Sequence, residues 1–345
     1  MNKGKQPTIK EIAKRLKIST STVSRALNDH PSIGLVTTMR VKKLAEELNY
    51  EPNRTAIFFK QRKTFTIGVI LPSLSEAFFS AAISEIENLA NSNNYTVILG
   101  QSLDDPEREL RIINTMKGHR VDGIILSSAK NTREFDYIAV LQQAGIPVVF
   151  FDCVPDLVHT NAIVSNLKTG MHEAIDTFVS CGHHAIAFIN GPAHLPASKE
   201  REEAFVEALA NHNISLNKDY IVYTDLSEKG NEQAVLELLN LSTRPSAVIS
   251  FNDYVTLDAM NAVRKKGLTV NQDIFFISYA NYPIWKYMEN PPMASIEQFP
   301  GKQGALALQM LFDLIDKNVA GGTEDTSLTD GQRIVLESKL VNQHL

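Results

Sequence analysis

Two cysteines in 345 residues, Cys153 and Cys181, exclude a disulfide framework. No apolar run approaches the ~18 residues needed to cross a bilayer. The opening MNKGKQPTIK lacks the apolar core of a secretory leader, so a cytoplasmic protein with no membrane partner is expected. The common catalytic phrases are missing too: there is no Gly-x-Ser-x-Gly, no phosphate loop ending Gly-Lys-Ser/Thr and no His-Glu-x-x-His. An enzyme is not expected, and no cofactor or metal is implied. Cys181-Gly182-His183-His184 reads as a helix end with a glycine cap and surface histidines. Asp104-Asp105 with Glu107 and Glu109 reads as a solvated acidic helix start.

The chain has 43% hydrophobic and 21% charged residues, as a globular protein does, and its net charge of −5 is unevenly spread. Residues 1–63 hold 14 Lys/Arg against 5 Asp/Glu, whereas the remainder holds 20 against 34. A basic head on an acidic body points to a polyanion partner for the head alone.

The basic head reads as three short helices. Thr8-Ile9-Lys10-Glu11 fits a capping box, and Ile9, Ile12, Ala13 and Leu16 follow at helical spacing. Lys17-Ile18 makes a turn and Ser19 caps a second helix, whose inner stripe is Val23, Ala26 and Leu27. Thr20, Ser21 and Arg25 fall on the opposite face. Short hydroxyls there permit close approach to base edges, and Arg25 is long enough for a bidentate guanine contact. Thr22 and Ser24 suit phosphates or the turn. The plainer alternative is an exposed polar face of any small helix. A third helix spans about 35–48, with Val41, Leu44, Ala45 and Leu48 inward. Helix, tight turn, second helix is the order of a DNA reader. Beyond it, Ile57-Phe58-Phe59 forms an apolar patch in a basic linker, suited to wedging a minor groove or to packing on the body.

These residues resemble the LacI/GalR family of transcription regulators. The matching phrases are Thr8-Ile9-Lys10-Glu11-Ile12-Ala13, Ser19-x-x-Thr22-Val23-Ser24-Arg25, Asn28 and Leu48-Asn49-Tyr50-x-Pro52-Asn53. The resemblance implies base readout at Thr20, Ser21 and Arg25. It implies a wider DNA-contacting surface of Thr8, Ser19, Thr22, Ser24, Asn28, Tyr50, Asn53, Arg54, Ala56 and Phe59. Phe59 stands where the family has a leucine wedge, and Gly34 to Thr38 departs from a Ser-capped start with Thr-Arg inside.

From residue 65 apolar runs alternate with amphipathic stretches. Strands are expected over 66–71, 95–99, 122–126 and 147–151, with helices over 76–91, 106–116 and 135–144. A second series places helices over 167–179, 199–211, 232–239 and 253–265, with strands over 185–189, 220–223, 247–249 and 274–277. Alternating βαβ units with near-continuous apolar strands imply parallel sheets covered on both faces, in two lobes. The fold class expected is an N-terminal all-α helix-turn-helix head plus an α/β body of two parallel-sheet lobes. The body also resembles the family, through IGVILPSLSEAFFS, DDPERE, VDGIIL, INGP and Asn252-Asp253. That resemblance implies a type I periplasmic-binding-protein-like body that crosses between lobes near Asn161, Pro292 and Gly322.

The domains expected are a head over 1–52, a hinge segment over 53–64 and a body over 65–345. The first lobe would take 65–161 and 293–321, the second 162–292 and 322–345. The ligand would sit at the carboxyl ends of the strands, where the resemblance implies contacts at Phe78, Phe79, Asp152, Arg201, Asn252 and Ala280. Ala280 replaces a family aspartate within Ser278-Tyr279-Ala280-Asn281. With that carboxylate gone and Arg201 kept, an acidic, carbohydrate-like effector is expected, such as a sugar acid or a phosphorylated sugar. The whole reading is a repressor acting on near-palindromic double-stranded operator DNA. A homodimer is expected rather than a tetramer, since no heptad extension follows the body. The competing reading is a cytosolic sugar-binding protein or sugar-processing enzyme on the same body.

Overall fold

The computed structural model describes residues 7–50, 63–155, 157, 159–319 and 331–343. The chain divides into two compact units, Met1–Thr64 and Phe65–Leu345. In the first, helices α1 (Ile9–Leu16), α2 (Thr20–Leu27) and α3 (Leu35–Glu47) surround a small core of Ile12, Ala13, Val23, Ala26, Val41 and Ala45. The Thr8 hydroxyl accepts from the Glu11 amide at 3.3 Å. The Glu11 carboxylate accepts from Arg15 instead of turning back to the cap, so half of the expected box forms. Lys17 closes α1 in the left-handed region (φ 57°), and its amide donates to the carbonyls of Ala13 and Lys14. The Ser19 hydroxyl then accepts from the Thr22 amide at 3.1 Å. Gly34 caps α3 without any side-chain bond. Its extended backbone suits serine, and nothing would crowd an added side chain. Gly34→Ser should therefore stabilise the head by about 0.5 kcal/mol, because Gly caps are only a few tenths of a kcal/mol worse than hydroxyl caps. A urea midpoint on the head would register it.

The body holds two six-stranded sheets. The first has order β11 (Arg333–Glu337), β5 (Ala162–Asn166), β4 (Val148–Phe151), β3 (Gly123–Leu126), β1 (Thr66–Leu71), β2 (Thr96–Gln101). The second has order β12 (Lys339–Asn342), β10 (Ala294–Glu297), β9 (Phe275–Tyr279), β8 (Ala247–Ser250), β6 (Ile186–Asn190), β7 (Ile221–Tyr223). All pairings are parallel except β10 with β12. Helices α4 (Ala77–Ser92), α5 (Pro106–Gly118) and α6 (Tyr137–Gln143) join the first four strands. Helices α7 (Leu167–Ser180), α8 (Pro196–Asn211), α9 (Glu228–Leu239) and α10 (Asp253–Lys265) serve the second sheet. Helix α11 (Pro300–Val319) returns to the first lobe, where Ala307, Leu308, Leu311 and Ile315 share a core with Ile86 and Ala90 of α4.

This topology corrects the expected crossings. Strand β5 pairs in the first sheet, so the chain leaves that lobe at Asn166–Leu167 and not near Asn161. Strand β10 pairs in the second sheet, moving the return from Pro292 to Gln298–Phe299. Strand β11 completes the first sheet and β12 the second, so the last crossing falls at Ser338, not Gly322. Accordingly 162–166 and 331–337 belong to the first lobe and 293–297 to the second. The three crossings are stitched together. Ser338 Oγ donates to the Asn166 carbonyl at 2.6 Å and accepts from the Gly170 amide at 2.9 Å. Ser165 Oγ donates to the Gln298 carbonyl at 3.0 Å, and Gln303 donates to both. A Cβ on Gly170 would lie 2.2 Å from the Ile296 side chain, so only glycine fits where α7 meets the second crossing.

Candidate functional site

In the head, Thr20, Ser21 and Arg25 stand exposed on one face of α2, while Thr22 and Ser24 are half-buried. Ser19 Oγ bonds the hydroxyls of Ser21 at 2.7 Å and Thr22 at 2.8 Å, a local network at the start of the helix. The Arg25 guanidinium has no partner among the described residues. Thr8 is exposed at its cap. Asn28 closes α2 by donating to the Ser24 carbonyl at 2.8 Å. Tyr50 packs on the head core. Asn53, Arg54, Ala56 and Phe59 lie outside the described residues. Lys42 of α3 clamps Asp29 after α2 with two bonds of 2.6 and 2.7 Å, fixing the angle between the helices. Leu35, Val36 and Met39 are 75%, 73% and 63% exposed, an apolar edge beside the reading helix that periodicity alone did not single out.

In the body, the carboxyl ends of both sheets meet between the lobes. Arg201, on α8, is 5% exposed. Its guanidinium lies 4.2 Å from the Phe251 ring and 4.3 Å from the Tyr279 ring, so it is clamped between two aromatic faces. Its Nε and Nη1 are buried without a hydrogen-bond partner. Burial depresses its protonation equilibrium below the usual arginine range. Across from it Asp152 follows β4 with φ 58°. This carboxylate is open to solvent. Desolvation by the surrounding protein, and then the Glu76 charge, raise its carboxyl above the ordinary aspartate range, although its exposure to solvent limits the effect and Ser127 Oγ donates to it at 3.3 Å.

Residues beyond those expected complete the cleft. Lys130 lies in the loop after β3, with Nζ 3.2 Å from Asp104 and its amide donating to Asp104 at 3.0 Å. Burial pulls the Lys130 ammonium down, but Asp104 and Glu76 outweigh it and the net shift is upward. Glu76, just before α4, is raised by burial. The readable signal for Lys130 was its place just past the carboxyl end of an apolar strand. Glu109 is not the solvated charge expected. It is 1% exposed and accepts from the Ala129 amide at 2.5 Å and Thr132 Oγ1 at 2.9 Å, because the loop carrying Lys130 needs an acceptor for its backbone.

Phe78 and Phe79, 6% and 4% exposed, pack edge to face in one apolar cluster with Phe151 of the first lobe and Ala280 and Tyr282 of the second. They therefore plug the gap between lobes at its base. Asn252 caps α10 by accepting from the Val255 amide at 2.9 Å. Ala280 has φ 101°, a region that a Cβ disfavours. Ala280→Gly should stabilise the body by about 1 kcal/mol, the relieved strain of ~1–3 kcal/mol exceeding glycine's ~0.5–1 kcal/mol entropic cost. A lower denaturation midpoint would refute it.

Beside Ala280, buried Asp253 accepts from Ser278 Oγ, from Ser295 Oγ at 2.9 Å and from the Tyr282 amide at 2.5 Å. Burial pushes its carboxyl up to about 6 despite these bonds. A raised acid contributes stability that is fully present below about pH 4, its unfolded range, and is lost as pH rises through about 6. The body's melting temperature should therefore carry a falling component between pH 4 and 6, which Asp253→Asn removes. Cys181 ends α7, Gly182 follows at φ 86°, and the His183 ring bonds Ser246 Oγ at 2.9 Å. Among the described residues no cluster of His, Cys, Asp and Glu could hold a metal ion, and no helix is long and apolar enough to cross a membrane.

A three-helix head joined to a two-lobed body with an unpartnered arginine in its cleft is the architecture of a transcription regulator with a ligand-binding domain. Residues 8–53 match the model of bacterial regulatory proteins, lacI family, and residues 67–318 that of a periplasmic binding protein domain. The chain belongs to the lacI family. It is 34% identical over 315 residues to the probable HTH-type transcriptional repressor ExuR of Bacillus subtilis (strain 168), spanning 90% of this chain and 92% of that one. It is 29% identical over 309 residues to the HTH-type transcriptional repressor PurR of Aliivibrio salmonicida (strain LFI1238), spanning 89% and 92%. The solved lac repressor dimer bound to operator and the anti-inducer ONPF matches with a TM-score of 0.81 at 25% identity, covering 98% of each chain. The protein is thus a transcriptional repressor with a ligand-binding domain, and its named relatives are repressors.

Proposed function

We propose that two copies of this chain bind a near-palindromic operator, each head reading one half-site through Thr20, Ser21 and Arg25, and that an acidic, carbohydrate-like effector in the cleft controls that binding. The observation that carries the effector reading is Arg201. A buried cation with unpartnered N–H groups is expensive unless something supplies the missing acceptors. A carboxylate or phosphate does so with charge-assisted, bidentate geometry. Asp152, opposite, suits sugar hydroxyls. Calorimetry tests this. Tight binding of a neutral sugar, unaffected by Arg201→Ala, would sink it.

The site is also wired to the crossings. Glu200, next to Arg201, accepts from the Leu167 amide at 3.1 Å, and Tyr279, beneath the guanidinium, donates to the Leu167 carbonyl at 2.9 Å. Leu167 is the first residue past the first crossing. Effector-driven movement of Arg201 is thereby passed to the strand where the lobes hinge, and the coupling typical of such switches is ~1–3 kcal/mol. Tyr279→Phe keeps the stacking ring and removes the hydroxyl. Effector affinity should stay within a few-fold, while the effector-induced change in operator affinity shrinks at least threefold. An intact change in anisotropy titrations would remove Tyr279 from the relay.

A further inference from the structure

Building on the acidic-effector reading, we infer that the cleft selects a singly charged sugar carboxylate and rejects sugar phosphates. The charges around the cleft are unequal. Glu76 from the start of α4, Asp104 after β2, Asp152 after β4 and Glu200 behind the arginine face Lys130 and Arg201. Carboxylates outnumber cations. Lys130 is committed to Asp104 through both its ammonium and its amide. Arg201 is therefore the one cation of this cluster, among the described residues, without an acidic bond partner. One carboxylate neutralises it. A phosphate monoester, close to a dianion at neutral pH, brings a second charge into an already acidic space.

The backbone offers a phosphate little compensation. Phosphates commonly settle on the free amides of helix N-termini. Here no side chain caps the first amides of α4, but the Glu76 carboxylate stands at that N-cap and repels an anion, while Asp105 accepts from the amides of α5 and Asn252 caps α10. Phe251 and Tyr279 both stack near the guanidinium, with ring centroids 4.2 and 4.3 Å from its central carbon. Either anion can accept two parallel N–H···O bonds from the guanidinium, so the discrimination rests on the second charge of the phosphate and not on shape. Asp152, with Ser127, then meets the hydroxyls of a polyhydroxy acid.

The test uses the full-length protein at fixed ionic strength and pH 7.5, with thermal shift followed by calorimetry. The probes are D-glucuronate, D-galacturonate, D-gluconate, glucose 6-phosphate, galactose 6-phosphate and the neutral hexoses. At least one carboxylate should bind at least tenfold tighter than every phosphate. The double variant Glu76→Gln with Asp104→Asn, which frees Lys130 and removes two charges, should narrow that ratio at least fivefold by admitting phosphate. A phosphate that binds the unaltered protein as tightly as the best carboxylate overturns the inference and leaves the acidic-effector reading standing. So does a panel in which phosphates alone bind. Binding by neutral hexoses alone removes the acidic-effector reading itself, and silence from every carboxylate removes the carboxylate inference. An unchanged ratio in the double variant shows that the acidic residues do not set the selectivity, and overturns it too.

Discussion

Arg201→Met should abolish the effector response while leaving the unliganded body at least as stable as before. Truncating one partner of a buried, hydrogen-bonded charge pair costs ~2–5 kcal/mol of binding, at least ~30-fold in affinity. The stability side has the opposite sign. Arg201 is 5% exposed with Nε and Nη1 unpartnered, and no carboxylate bonds it. The two ring contacts return about 2 kcal/mol each, against a desolvation penalty of several kcal/mol. Burial lowers its protonation equilibrium, in the direction of an uncompensated desolvation cost. Methionine fills similar volume without the charge. Thermal melting with and without effector checks both halves at once. A melting temperature several degrees lower in the variant would mean that the guanidinium is a structural strut and not a ligand group awaiting its anion.

Arg25→Ala should collapse the distinction between operator and random DNA with the fold intact. Its side chain is exposed and unpartnered, so its loss leaves the head core of Ile12, Val23, Ala26 and Val41 untouched. A bidentate base contact is worth ~1–3 kcal/mol, and a dimer on a near-palindrome makes it twice. The expected loss in specific affinity is therefore roughly 30-fold to more than 10⁴-fold. Affinity for random duplex falls far less, since Lys10, Lys14, Lys17 and Lys43 remain on the same small unit to meet phosphates. Anisotropy titrations against both duplexes, with a circular dichroism melt of the variant, decide it. Equal losses on both duplexes would assign Arg25 to a phosphate.

The elements that the sequence announced are those whose cause is local. The caps at Thr8 and Ser19, the turn at Lys17 and the spacing of Ile12, Val23 and Val41 each act within a few residues. The same holds for the strands 66–71, 123–126 and 148–151, apolar throughout because both faces are covered. What escaped were the strands that join the lobes. AIVSN, ASIE, RIVLE and KLVN are short, mix polar with apolar residues and pair with strands far along the chain, as Arg333 does with Ala162. Their burial is set by partners that no window of sequence contains, and the crossings moved with them. Glu109 escaped for the same reason. An acidic helix start is ordinarily solvated, and only the loop folded over it, with Ala129 and Thr132 seeking an acceptor, makes it a buried anchor.

By itself, then, the sequence determined a basic three-helix reader ahead of an acidic α/β body, and with it a regulator. Charge segregation and short-range periodicity act along the chain and survive without tertiary contacts. The family resemblance implied Arg201, Asp152 and Ala280 as cleft residues but could not say in what state they stand there. Only the tertiary structure clamped Arg201 between Phe251 and Tyr279 with its N–H groups unpartnered, tied Lys130 to Asp104, and crowded carboxylates around the gap. Desolvation and pairing are properties of the space between elements, and that space exists only once the two lobes are folded against each other.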